Sequence, residues 1–208
     1  MDSQVTLVNP SPSVSLVFDS YSIRNAHIAL STDPFHVLYS IHTAQPKPAA
    51  DSASYIRTGE RTLAAIQQNE VLPDKVTFYA HDGAKAKVSV NKWLKKGTLS
   101  DNYPVRFMIF DGSSYYWKSD KNFRLALYNS NDHQYPIATY AAAAPVAIVI
   151  LAEHKMLLAH APEVLAAFII QESKMRQGEK FREVAVGMAQ MEAVGQSLYS
   201  TPSGNVMS

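Results

Sequence analysis

From Val14 to Ala159 the chain alternates short apolar runs with turn residues, and many of the runs follow a period of two. Successive strand side chains point to opposite faces, so such alternation predicts half-buried strands. The runs are VSLVF (14–18), AHIAL (26–30), FHVLYSIHT (35–43), SYIRT (54–58), TLAAIQQ (62–68), DKVTFYA (74–80) and AKAKVSV (84–90). VRFMIF (105–110), SYYWK (114–118), FRLALY (123–128), YPIATYA (135–141), PVAIVIL (145–151) and KMLLA (155–159) complete the series. Asp33-Pro34 sets one turn. Asp82-Gly83 and Asp111-Gly112 each lie between two runs and predict tight hairpins, because glycine accepts the positive φ of the primed turns. About a dozen strands at this spacing predict an antiparallel sandwich or barrel.

The period changes at Pro162, in PEVLAAFIIQESKMRQGEKF (162–181). Proline suits a first helical turn, and Glu163 complements the N-terminal dipole. Val164, Leu165, Ala166, Ala167, Phe168, Ile169 and Ile170 leave no polar side. A helix apolar all round must be buried all round. In a chain of hairpins the economical place is inside the curled sheet. Glu172, Lys174 and Arg176 then mark the return to water. Beyond Gly178, the residues Phe181, Val184, Met188, Met191 and Val194 recur at spacings of three and four, an amphipathic stripe interrupted by Gly187 and Gly195. The expected organisation is a flexible N-terminal tail over 1–12 and a β domain with its helix over 13–178. An extension over 179–208 would be helical and then disordered. AQPKPAADSAS (44–54) lacks apolar periodicity and reads as an exposed loop.

Composition narrows the class. With 208 residues, 47% hydrophobic, the chain can build one sizeable core. A formal net charge of +1 gives no global field toward nucleic acid, and none is expected as a partner. The absence of cysteine removes disulfides and thiolate metal sites. Residues 134–152 carry no charge, yet Pro136 and Pro145 interrupt them and alanine dominates, so no transmembrane helix is expected. The first residues lack the basic start and apolar run of a secretory signal, and a cytoplasmic protein is the simplest expectation.

Catalytic signatures do not appear. The seven histidines form no His-Glu-x-x-His or similar cluster, and His36 and His42 lie too far apart along one strand to be neighbouring ligands. No nucleophile elbow, phosphate loop or dinucleotide fingerprint is found, so no enzyme activity, metal or cofactor is expected. The basic residues are more suggestive. Lys85 and Lys87 share a strand face. Lys92, Lys95 and Lys96 follow in NKWLKKG around Trp93, and Lys118, Lys121 and Arg124 flank the strand after the second hairpin. If these segments pack together, they form a basic patch suited to anionic headgroups, with Trp93 at the interface. Lysines that keep a β surface soluble are the plain alternative.

RFMIFDGSSYYWK (106–118), PIATY (136–140), PVAIVIL (145–151) and PEVLAAFIIQESKMRQ (162–177) together carry a resemblance. The chain resembles the tubby C-terminal-like superfamily and, within it, an uncharacterised domain family of mushroom-forming fungi. That resemblance implies a barrel around a hydrophobic helix. It also implies phosphoinositide or membrane association for some members. The expected function is a non-catalytic binding or scaffold module, peripheral at membranes through an anionic lipid. A protein-interaction module working through the C-terminal extension is the alternative.

Overall fold

Asp111 and Gly112 take φ values of 48° and 70°, and Gly83 takes 83°, so the two Asp-Gly turns adopt the left-handed backbone their dipeptides favour. Around them the computed structural model describes residues 13–44, 52–69, 72–119, 121–142 and 146–199, with 152–153, 187 and 189–199 described by backbone alone. The strands are β1 (Val14–Phe18), β2 (Ala26–Leu30), β3 (Asp33–Ala44), β4 (Ser52–Thr58), β5 (Arg61–Gln68), β6 (Lys75–Tyr79) and β7 (Lys85–Ser89). A single helical turn, α1 (Val90–Trp93), leads to β8 (Lys95–Thr98), β9 (Pro104–Phe110), β10 (Ser113–Lys118), β11 (Leu125–Asn129), β12 (Ala138–Ala141) and β13 (Ala147–Ile150). A 3-10 segment (Ala152–His160) precedes the long helix α2 (Ala161–Tyr199). No described helix is long and apolar enough to cross a membrane.

All thirteen strands belong to one antiparallel sheet in the order β7-β6-β5-β4-β3-β2-β1-β13-β12-β11-β10-β9-β8. Twelve of the thirteen predicted runs became strands. KMLLA did not; it lies in the 3-10 segment, and its Leu, Met, Ala and Lys are good helix formers with no β-branched residue among them. In its place stands β8, whose KKGT is too short and too charged to read as a strand. The loop expected over 44–54 gives up its ends to β3 and β4, and 45–51 lie outside the described residues.

The expected closed barrel is corrected. β7 and β8 are the two ends of the sheet and do not pair. Twelve antiparallel junctions join the thirteen strands, and an even number of reversals leaves β7 and β8 running the same way. Closing them onto each other would need a parallel pair, whose crossover takes about a dozen residues or more. Only Val90–Leu94 lie between them. The connection is too short for that crossover, so the ladder stays open.

Two compact units divide the chain, one to Ile169 and one from Ile170. In the first, the opening turns of α2 are the core. Val164, Leu165, Ala166, Ala167, Phe168 and Ile169 are each 3% exposed or less. The Phe168 ring meets Phe18 of β1 at 6.0 Å, Trp117 of β10 at 5.6 Å and Tyr140 of β12 at 4.6 Å. Register extends this inner face along the ladder, from Phe18 to Ile28 and from Ile41 through Ile56 to Ala64 and Phe78. The opposite face of β9–β11 carries a second cluster of Val105, Tyr116, Ala126 and Tyr128, with Phe107 packed against it. Thus RFMIFDGSSYYWK divides by period two: Trp117 faces the helix, while Phe107 and Tyr116 build the outer cluster.

In the second unit α2 continues without a break through Gly178, where the domain boundary was expected. Its buried Glu172 carboxylate accepts a hydrogen bond from Arg176 Nε at 2.7 Å, one helical turn on. Of the expected stripe, Phe181, Val184 and Met188 are exposed, and the side chains of Met191 and Val194 lie outside the described residues.

Candidate functional site

Lysines concentrate on the two end strands β7 and β8 and on α1, the turn that joins them; this stretch, residues 85–98, is the seam of the open sheet. Alternation fixes which way each one points. Ala86 pairs with Phe78, which the ladder places on the helix-facing side, so Lys85 and Lys87 point to the outer face. Lys95 pairs with Phe107 of the outer cluster and also points outward. Lys92 is exposed on α1. These four lysines make no ion pair among the described residues. Lys85 Nζ lies 5.5 Å from the Tyr79 ring, a contact that leaves its charge uncompensated.

Between the two strands α1 is anchored to its neighbours. Its backbone is tied at both ends, by Val90 N–H to Asp74 O at 2.8 Å and by Leu94 N–H to Val90 O at 2.7 Å. Val90 and Leu94 are buried, at 2% and 1% exposure. Trp93 sets its ring edge-on to Phe78 at 5.0 Å. Arg106 of β9 reaches under the seam and donates to Asn91 Oδ1 at 2.9 Å. α1 therefore bridges β6 and β9 on the helix-facing side.

Not every expected residue joins this group. Trp93 is half-buried against Phe78, on the opposite side of the sheet from Lys85 and Lys87, because Val90 and Leu94 anchor α1 inward. Lys96 shares its face with Arg106 and points away from Lys95, as neighbours in a strand must. Lys118 lies on β10 and is paired, with Nζ 2.7 Å from Asp101 Oδ2 and 4.8 Å from the Tyr103 ring. That ammonium, with the Tyr103 N–H, holds the Asp101 carboxyl below its usual range. Arg124 precedes β11, half-buried and already partnered.

What the sequence reading missed is the seam itself, since it depends on which strands end the sheet. A local signal for β8 did exist. Ser100-Asp101-Asn102 is a turn sequence, and Asn102 adopts φ 60° while Leu99 N–H bonds Tyr103 O at 2.9 Å.

Elsewhere, titratable groups form pairs. His160 Nε2 meets Asp111 Oδ2 at 2.6 Å and its ring stacks on Phe110 at 4.6 Å, tying the 3-10 segment to the β9–β10 turn. Burial pushes the nearby Glu163 carboxyl up, against its backbone hydrogen bond and the pull of His160, with Asp111 adding to the rise. Tyr116 Oη lies 2.8 Å from His133 Nδ1. No group of three His, Cys, Asp or Glu among the described residues could hold a metal ion.

Residues 21–177 match the model of a protein family described as "Family of unknown function (DUF6593)". The match takes in the whole seam and the apolar part of α2. No curated protein and no solved structure matches the chain.

Proposed function

The chain belongs to the family DUF6593, whose description names no activity, and we propose that it is a non-catalytic binding module taking anionic lipid headgroups on its lysine seam. One observation carries this reading: Lys85, Lys87, Lys92 and Lys95 lie on the consecutive segments β7, α1 and β8 with no carboxylate paired to them among the described residues. A basic residue near an acidic membrane contributes about 1 kcal/mol. Lys118 adds little, since Asp101 already compensates it. A thirteen-stranded antiparallel sheet, though open, with the apolar opening turns of α2 in its core supports the helix-centred part of the architecture that the tubby-like, fungal resemblance implies. On this reading the protein is peripheral at the cytoplasmic side of a membrane, phosphoinositides are the headgroups of choice, and Trp93 has no part in the contact.

Flotation with phosphoinositide-containing liposomes tests it. Lys85→Glu with Lys87→Glu removes two attractions and adds two repulsions, so recovery falls roughly tenfold or more relative to wild type. Recovery of the wild type also declines with salt, because exposed charges are screened beyond about 8 Å at physiological ionic strength. Equal recovery of the two proteins, or recovery indifferent to salt, would remove the reading.

A second reading, a protein-interaction module working through the C-terminal extension, is favoured by the exposed Phe181, Val184 and Met188 of α2.

A further inference from the structure

The apolar spacing along α2 changes character after Gly178. Phe181, Val184, Met188, Met191, Gly195 and Leu198 follow one another at intervals of three, four, three, four and three. That is a seven-residue repeat, with Phe181, Met188 and Gly195 at its first position and Val184, Met191 and Leu198 at its fourth. A helix packed on its own domain keeps a wider apolar face, whereas this repeat keeps a narrow stripe aimed at one neighbouring helix.

Within the chain the stripe is left uncovered where its side chains are described. Phe181 is 76% exposed, Val184 56% and Met188 64%. From Phe181 to Tyr199 the helix runs about 28 Å. Helices in water draw most of their stability from packing an apolar face, and Gly187 and Gly195 weaken this one further. The stripe therefore calls for a partner from outside the chain.

Residue size selects that partner. The stripe is bulky at Phe181 and lacks a side chain at Gly195. Two copies aligned in parallel would set glycine against glycine and leave a void in that layer. Aligned antiparallel, first positions meet fourth positions: Phe181 meets Leu198 of the second copy, Val184 meets Gly195, and Met188 meets Met191. Every layer then holds at least one apolar side chain. The flanking positions bring Ala185 beside Glu192 and Gly187 beside Gly187, so no like charges face each other and small residues let the helices approach. Six stripe positions on each helix bury roughly 1,200 Å² in all, the low end for a specific complex, so the pair is reversible.

We propose that the C-terminal half of α2 pairs with the same segment of a second copy as an antiparallel two-stranded coiled coil. This pairing rests on the protein-interaction reading of α2 and gives it a partner.

Sedimentation velocity of the full chain over a concentration series tests it. The expected result is a monomer–dimer equilibrium, weakened by roughly tenfold or more in Met188→Lys, which puts a charge into the stripe. Val186→Lys leaves the equilibrium unchanged, because Val186 is exposed and lies off the stripe. Orientation is read with introduced thiols, since the chain has no cysteine. Under mild oxidation, Val184→Cys together with Gly195→Cys gives a disulfide-linked dimer, and Val184→Cys alone does not. A chain that stays monomeric at every concentration, or a dimer indifferent to Met188→Lys, would overturn the proposal. Efficient linkage through Val184→Cys alone would overturn the antiparallel alignment. A monomer that retains a protein from a cell extract, and loses it in Met188→Lys, would overturn self-pairing and leave the interaction reading. A monomer that retains none would overturn both.

Discussion

Phe168→Ala destabilises the domain by about 3–5 kcal/mol, the range for emptying a large aromatic site in a core. The ring is 0% exposed and is held by Phe18, Trp117 and Tyr140 from three strands that come from separate parts of the chain. Those strands are fixed by their ladders on either side, so the site cannot collapse around the smaller side chain, and the cavity term adds to the lost transfer energy. A urea melt of the variant measures the loss. A change below about 1 kcal/mol would mean that the helix is not the core of the sheet.

Gly97→Ala costs about 1–3 kcal/mol through overpacking. A Cβ at this position would lie 2.5 Å from Phe107 Cε2 and 2.9 Å from Cδ2, closer than such atoms approach. The ring cannot simply swing away, because Tyr116 meets it edge-on at 5.4 Å within the outer cluster. Alanine is otherwise the better residue inside a strand, since glycine loses more conformational freedom on folding. The sign of the change is therefore informative. Phe107→Leu in the same chain should restore most of the loss. A neutral or stabilising Gly97→Ala would show that the ring does not cover β8.

Much of this architecture is legible locally, and the reasons differ by element. The hairpins at Asp82-Gly83 and Asp111-Gly112 are written in dipeptides whose backbone preference is strong enough to decide the turn. The burial of Val164–Ile169 follows from the absence of any polar side. KMLLA failed because a short apolar run does not distinguish strand from helix, and its residue types favour helix. β8 escaped notice because Lys95, Lys96 and Gly97 carry no strand signal; its place is decided by pairing with Val105–Phe107.

The lysine site was half legible for the same reason. Period two places Lys85 with Lys87 and separates Lys95 from Lys96 once β8 is known. Lys118 looked equivalent in sequence, but Asp101 reaches it across a turn. Trp93 looked like an interface residue, but its ring belongs to the packing of α1 against Phe78. That β7 and β8 end one sheet, and run the same way, is a property of all twelve junctions together and of no single segment.

Contact between the seam lysines and an anionic partner is open to direct measurement. Amine acetylation read by mass spectrometry, with and without phosphoinositide vesicles, reports each lysine separately. Lys121 and Lys155 are exposed on other segments of the same unit, so they serve as internal references. The expected result is protection of Lys85, Lys87, Lys92 and Lys95, with the two references unchanged. Uniform protection of all exposed lysines, or protection that spares the seam, would contradict it.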